Sequence, residues 1–388
     1  MTMLPLVLGA AVFCVLSILL VRRWIPTRYS VPIFLFKFGL PLFYFHYSGR
    51  LFREFNKIAV DEFYIQTNQI LSEGHTAYSL LAQGFQPISS IMDTTDPFYW
   101  WWNAVWIEIF GNAVFSPVLA NVFVTVLASI VATKLLIELD HEYRFQQYFL
   151  AFSLLHWEIL TWSSMMNIKD VLVMFLTISS MYFVITALKS QDTQSLLFRL
   201  SALAVALWIL TYIRWYVPGL FLGAIGLWLC IEMLRSEPRP SLPQAALFLT
   251  VTACIGLWVF SRFDFSSRID IGWAILGFFR YTIGPVPFGT ADSYTFLNMA
   301  AVFHWILFPV LIIGVFKLVT KKYERLLLLY VVVTVGLYSI VPSGSGPRFR
   351  LQLGMFIALL QFMGLWFVFT HKYRVNIVSD KYITATSD

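Results

Sequence analysis

Asp170-Val171-Leu172-Val173-Met174-Phe175-Leu176-Thr177-Ile178-Ser179-Ser180-Met181-Tyr182-Phe183-Val184-Ile185-Thr186-Ala187-Leu188 is the stretch on which the fold turns. After the opening acid it holds no charge, proline or glycine. As a helix rising ~1.5 Å per residue it matches a hydrocarbon core of about 30 Å. Working outward, comparable runs recur along all 388 residues, near 4–21, 30–46, 113–137, 147–163, 170–188, 200–216, 217–234, 245–261, 300–316, 326–341 and 351–370. Apolar side chains make up 59% of the chain and charged ones 12%, with a mean hydropathy of +0.74. That balance excludes soluble enzymes, disordered chains and nucleic-acid modules, and the solid runs exclude a barrel, whose strands alternate. The fold class expected is therefore all-α: a polytopic membrane protein with about 11 spans.

The basic residues orient it. Arg22, Arg23 and Arg28, Lys189 and Arg199, Arg235 and Arg239, Lys317 through Arg325, and Lys372 with Arg374 fall on one side, which the positive-inside rule makes cytoplasmic. The net charge of +6 then reflects anionic lipid headgroups. Residues 1–375 form one transmembrane domain and 376–388 a frayed cytoplasmic tail. Two long segments, 47–112 and 262–299, and short turns near 164–169, 214–217 and 342–350 lie on the outer side. Helical spacing is visible over 61–72 and again from Ala77 to Leu81. Pro97-Phe98-Tyr99-Trp100-Trp101-Trp102 opens a helix rich in the aromatics that favour the headgroup zone, so helices lying on the membrane surface are expected there. The run 30–46 is short and contains Lys37, so it either crosses or lies in the interface. Cys14, Cys230 and Cys254 sit inside apolar runs, as small hydrophobes do.

Chemistry is expected at the outer mouth. Asp61-Glu62 is either a solvated helix start favoured by the dipole, or a working pair in which one carboxylate accepts a proton from a hydroxyl or holds a divalent cation. Asp93 and Asp96 add two acids on the same side, Asp96 as a conventional N-cap before Pro97. Asn167-Ile168-Lys169-Asp170 closes an outer turn, and a Lys-Asp pair at that depth should face protein or a polar cavity. Arg214, Arg262, Arg268, Arg280, Arg348 and Arg350 are arginines on the disfavoured side. Each either snorkels to headgroups or offers its planar fork to a lipid phosphate. The flexible turn Pro342-Ser343-Gly344-Ser345-Gly346-Pro347 favours the second role for Arg348, and Arg280-Tyr281 precedes a similar rigid turn. The six histidines make no metal-ligand spacing, although His75 or His304 could contribute singly, and no Walker loop or GxGxxG is present.

Taken in order, these features resemble the GT-C superfamily of integral-membrane glycosyltransferases, in particular the branch of protein O-mannosyltransferases and aminoarabinose transferases that uses polyprenyl-phosphate sugars. Asp61-Glu62 is similar to the acidic pair of that family's first outer loop, 61–72 and 97–110 to its surface helices, and Asp170 to its second-loop acid. Ile213-Arg214-Trp215-Tyr216 and Arg348-Phe349-Arg350 resemble its arginine-aromatic steps. The resemblance covers residues 55–365; the extra span before the first loop and the lack of a large carboxy-terminal domain depart from it. It implies inverting transfer of a sugar from a polyprenyl-phosphate donor to a glycan or lipid acceptor, at the extracytoplasmic face of a bacterial plasma membrane, in cell-surface polysaccharide assembly. By the same resemblance Asp61 would be base or cation ligand, Glu62 its support and Asp170 a second polar or metal-binding group, the metal being magnesium or manganese. Lys169, Arg214, Arg280, Arg348 and Arg350 would bind the donor phosphate, with Asp93, Asp96, Tyr281 and His304 as further candidates. The rivals are a lipid-linked glycan transporter and a noncatalytic assembly subunit. Charges concentrated at the outer mouth, with only Lys37 and Lys134 well inside runs, favour the transferase over the transporter.

Overall fold

The computed structural model describes residues 4–51, 62–94, 96–235, 271–288, 297–340 and 347–385; for 45–51, 62, 271, 347 and 371–385 it describes the backbone alone. Asp61, Arg262, Arg268 and the expected span 245–261 lie outside the described residues.

All described regular structure is helical: α1 (Leu4–Val21), α2 (Thr27–Leu51), α3 (Glu62–Ser72), α4 (Ala77–Ala82), α5 (Gln86–Met92), α6 (Phe98–Phe110), α7 (Phe115–Glu138), α8 (Tyr143–Leu154), α9 (Trp157–Met165), α10 (Asp170–Leu188), α11 (Thr193–Thr211), α12 (Val217–Arg235), α13 (Ile271–Thr282), α14 (Asn298–Leu318), α15 (Lys322–Ile340), α16 (Pro347–Arg350), a 3-10 turn (Leu351–Leu353) and α17 (Gly354–Ala385). Eight of them are long and apolar enough to cross a membrane: α1, α7, α10, α11, α12, α14, α15 and the segment Arg348–Thr370. By length and composition, eight such helices suit the chain to a polytopic membrane protein. These eight correspond to eight of the eleven expected runs. α11 begins earlier than expected, where the Asp192 side chain accepts from Ser195 N at 2.8 Å and starts the helix at Thr193. α17 continues to Ala385 instead of ending near 370, and no proline or glycine after Gly364 stops it.

Two expectations change. The run 147–163 is not one helix: α8 ends at Leu154, and His156 has extended backbone before α9 begins. No proline or glycine marks the break. Part of its cost is offset from α2, whose wholly buried Lys37 donates to Leu154 O at 3.1 Å. α2 itself is a 25-residue helix with Pro32 and Pro41 inside it, packed on α1, α7 and α9, and Lys37 faces protein.

Of the eight long apolar helices, α7 and α10 are the most deeply buried, and they carry the main core, which also takes in Phe221, Tyr330 and Phe356 from α12, α15 and α17. A second core joins α1, α2, α7 and α8. α14 and α17 cross with backbones nearly touching. A Cβ on Gly314 would overlap the carbonyl oxygen of Leu360, and one on Gly364 that of Val310, so glycine at both positions permits the approach. The short helices α3 to α6 are 11, 6, 7 and 13 residues long, too short to span, and bury Ile70, Leu80, Ile88, Trp100 and Ala104 in a separate cluster.

Candidate functional site

The turns before α10, between α11 and α12, and before α17 meet at one end of the bundle. Asp170, the first residue of α10, is wholly buried. Its Oδ1 accepts from Arg214 Nη2 at 2.7 Å and from Gln352 Nε2 at 3.1 Å, and its Oδ2 accepts from Arg348 Nε at 3.1 Å. Arg214 Nη1 donates to the Tyr216 hydroxyl at 2.9 Å, the Tyr216 and Tyr338 hydroxyls lie 2.7 Å apart, and Tyr338 donates to Gln352 Oε1 at 2.9 Å. The hydrogen bonds therefore close a ring. Phe349 lies 4.7 Å from the Arg214 guanidinium and Tyr281 stacks on Tyr338 at 5.3 Å, so aromatic faces exclude water from the ring.

Lys169 donates to Asp96 Oδ2 at 2.9 Å. Asp96 is thus an ion-pair partner instead of the expected N-cap; the residue before α6 is Pro97, which offers no side-chain cap. Burial, reinforced by the Arg214 charge, pulls the Lys169 ammonium below the ordinary lysine range, with Asp96 opposing. Burial alone would lower Arg214 as well, but the Asp170 carboxylate holds the guanidinium above its usual value. Tyr99 donates to Asn167 Oδ1 at 2.5 Å and Asn121 donates to the Tyr99 hydroxyl at 2.9 Å. Asn167 donates to Asn103. This amide network fixes the 166–169 turn to α6 and α7, and so sets where Lys169 and Asp170 point.

Three cations, Lys169, Arg214 and Arg348, face two carboxylates, Asp96 and Asp170. Arg348 is the accessible one: its side chain is 36% exposed, against 8% for Arg214, and among the described residues only its Nε is engaged. Such a guanidinium, braced from behind and open in front, can take an anionic oxygen pair through its fork. Phe63, the residue after Asp61-Glu62, lies 5.9 Å from the Arg348 guanidinium and 6.0 Å from Lys169 Nζ, and packs edge-on against Tyr99 and Trp100.

The other expected residues are placed differently. Arg350 is 2% exposed and belongs to a second, buried cluster: its Nε donates to Glu158 Oε1 at 2.7 Å, and Nη1 lies 3.3 Å from His304 Nε2. His304 Nδ1 lies 3.6 Å from Glu158 Oε2, and His156 Nε2 meets Gln361 Oε1 at 2.7 Å. A cavity of about 430 Å³ lined by Phe152, Leu155, Phe303 and Leu307 borders this cluster. Arg280 is exposed and stacks on Trp273 at 5.1 Å. Asp93 is exposed in a left-handed turn at the end of α5. Tyr281 is buried and donates to Phe349 O at 3.0 Å. Among the described residues no group of three or more His, Cys, Asp or Glu side chains is arranged to hold a metal ion. Asp170 in particular is suited to hold guanidinium groups and not a divalent cation, because both its oxygens are taken and a metal would sit against two arginines.

Sequence reasoning missed Glu158, His156, Gln352, Gln361 and Tyr338. Glu158 carried a readable signal, an acid inside an apolar run. The glutamines and tyrosine carried none. No family model, curated protein or solved structure matches the chain.

Proposed function

We propose that this protein is a GT-C-like membrane glycosyltransferase that moves a sugar from a polyprenyl-phosphate donor to a glycan or lipid acceptor at the extracytoplasmic face, in cell-surface polysaccharide assembly. The observation that carries the reading is the braced, accessible Arg348, which with Lys169 borders Phe63 of α3. The bond from the sugar's anomeric carbon to the phosphate oxygen breaks, its electron pair leaving on the polyprenyl phosphate, as the acceptor oxygen bonds to that carbon from the opposite side. The acceptor's proton goes to a carboxylate, for which Asp61 is the candidate. Arg348 and Lys169 stabilise the charge gathering on the departing phosphate, and Arg214 and Asp170 hold Arg348 in place. The surface-lying role of α3 and α6, the bacterial plasma membrane and any magnesium or manganese requirement belong to the same proposal. Asp170 is an anchor in it, not a metal ligand.

The test is the glycan product of cells carrying the wild type, Asp61→Asn or Arg348→Ala at equal membrane abundance. Loss of product with build-up of the lipid-linked donor supports transfer, and the mass of that donor identifies the sugar. Normal product from both variants would sink it. One observation favours a second reading, a lipid-linked glycan transporter: Glu158, Arg350, His156 and His304 are buried beside a broken helix, an arrangement that transporters use. Flipping of a labelled lipid-linked sugar by the purified protein in vesicles, with no product formed, would select it.

A further inference from the structure

The sequence Arg348-Phe349-Arg350-Leu351-Gln352 is a clamp. In the single turn of α16, residues two apart point to nearly opposite sides. Arg348 reaches Asp170 on one side and Arg350 reaches Glu158 on the other, while Gln352, about one turn past Arg348, returns to Asp170. The two carboxylates come from different helices, α10 and α9, and both are buried. Arg350 does more than pair. Its Nη1 donates to the carbonyls of Tyr281 and Thr282 at 3.4 and 3.3 Å and to that of Gly284, closing the C-terminal end of α13. Tyr281, from that end, donates to Phe349 O, so the backbone between the two arginines is tied as well.

We propose that Glu158 is a positioning residue: through Arg350 it fixes the rotation of the α16 turn, and so sets the direction in which Arg348 is presented. The family resemblance implies that Arg350 binds the donor phosphate; its burial and its partners assign it to this bracing instead. The inference rests on the proposed reading only where Arg348 is taken to bind phosphate; the geometry of the turn stands without it.

Breaking the pair from one side leaves a buried charge alone, so the informative variant removes both, Glu158→Met with Arg350→Met, because apolar pairs of similar size often replace buried ion pairs without loss of fold. The control is Glu232→Met with Arg325→Met, which removes a 2.7 Å pair at the opposite end of the bundle. Two readouts are taken on the full-length, detergent-solubilised protein. The first is the rate at which phenylglyoxal modifies Arg348, followed by peptide mass spectrometry. Release from Asp170 should speed it several-fold in the Glu158/Arg350 double variant and leave it unchanged in the control; an unchanged rate in a monodisperse double variant overturns the proposal. The second is affinity for undecaprenyl phosphate. Arg348→Ala should weaken it about tenfold, the double variant similarly, and Arg348→Ala added to the double variant should weaken it no further. A full additional loss in that background also overturns the proposal. If Arg348→Ala alone leaves affinity intact, the phosphate reading fails while the modification rate still decides the positioning role.

Discussion

Asp170→Asn is the perturbation whose size follows most directly from the site. The change keeps the side chain's shape and removes one negative charge from a wholly buried position. Arg214 then stays buried, 8% exposed, with no carboxylate, and a buried pair broken from one side typically costs about 3–5 kcal/mol. Arg348 shares the carboxylate but is 36% exposed, so solvent screening holds its part to about 1 kcal/mol or less. The asparagine still accepts one hydrogen bond, which places the total near 3 kcal/mol, about a hundredfold in the ratio of folded to unfolded protein. Reversible unfolding in mixed micelles, run as two double-mutant cycles, measures this. Asp170 with Arg214→Gln should give a coupling of about 2–3 kcal/mol, and Asp170 with Arg348→Gln less than about 1. Equal couplings for the two arginines would refute the division into a buried brace and an accessible contact, and a wild-type stability for Asp170→Asn would refute the site as described.

Arg280→Ala should change undecaprenyl phosphate affinity by less than about threefold, whereas Arg348→Ala weakens it about tenfold, because Arg280 stacks on Trp273 outside the cluster; the comparison is a binding titration on each variant. Lys169 has a lowered ammonium pKa, so on raising the pH it sheds its proton, and its pull on an anion, earlier than an ordinary lysine; affinity should fall in that range and Lys169→Arg should preserve it there, read from binding curves at stepped pH. Gly364→Leu would drive a side chain into the α14 backbone at Val310 and should abolish monodisperse protein on size exclusion, while Gly336→Ala, with open space around it, should not.

The eight helices long and apolar enough to cross a membrane were legible because each is a solid apolar run of that length. The broken helix was not, since Leu155-His156 looks like any other pair in an apolar stretch and the break is held by Lys37 from another helix. The same misreading hid Glu158. At the mouth, the types of the site residues were readable but not their partners. Arg348 and Arg350 look alike in sequence, and only the carboxylate waiting on each side of the turn makes one accessible and the other structural. Asp96 shows the converse: its place before Pro97 spells a cap, yet a lysine more than seventy residues away claims it.

The ring through Asp170, Arg214, Tyr216, Tyr338 and Gln352 is two arms that both run from Arg214 as donor to Asp170 as acceptor, one direct and one through Tyr216, Tyr338 and Gln352. A guanidinium can only give hydrogens and a carboxylate can only receive them, so those two fix the ends. Asp170 draws the Gln352 amide nitrogen, so the Gln352 oxygen faces Tyr338 and takes its hydrogen, which leaves Tyr216, receiving from Arg214, to give its own hydrogen to Tyr338. A circle of hydroxyls alone could run either way and would hold the disorder that ice keeps at low temperature. Here every proton has one address. Phenylalanine in place of Tyr216 would reach beyond its own contact, because the Tyr338 oxygen would lose the hydrogen it receives and Arg214 Nη1 the oxygen it donates to, while Gln352 would still fix the direction of the Tyr338 hydroxyl.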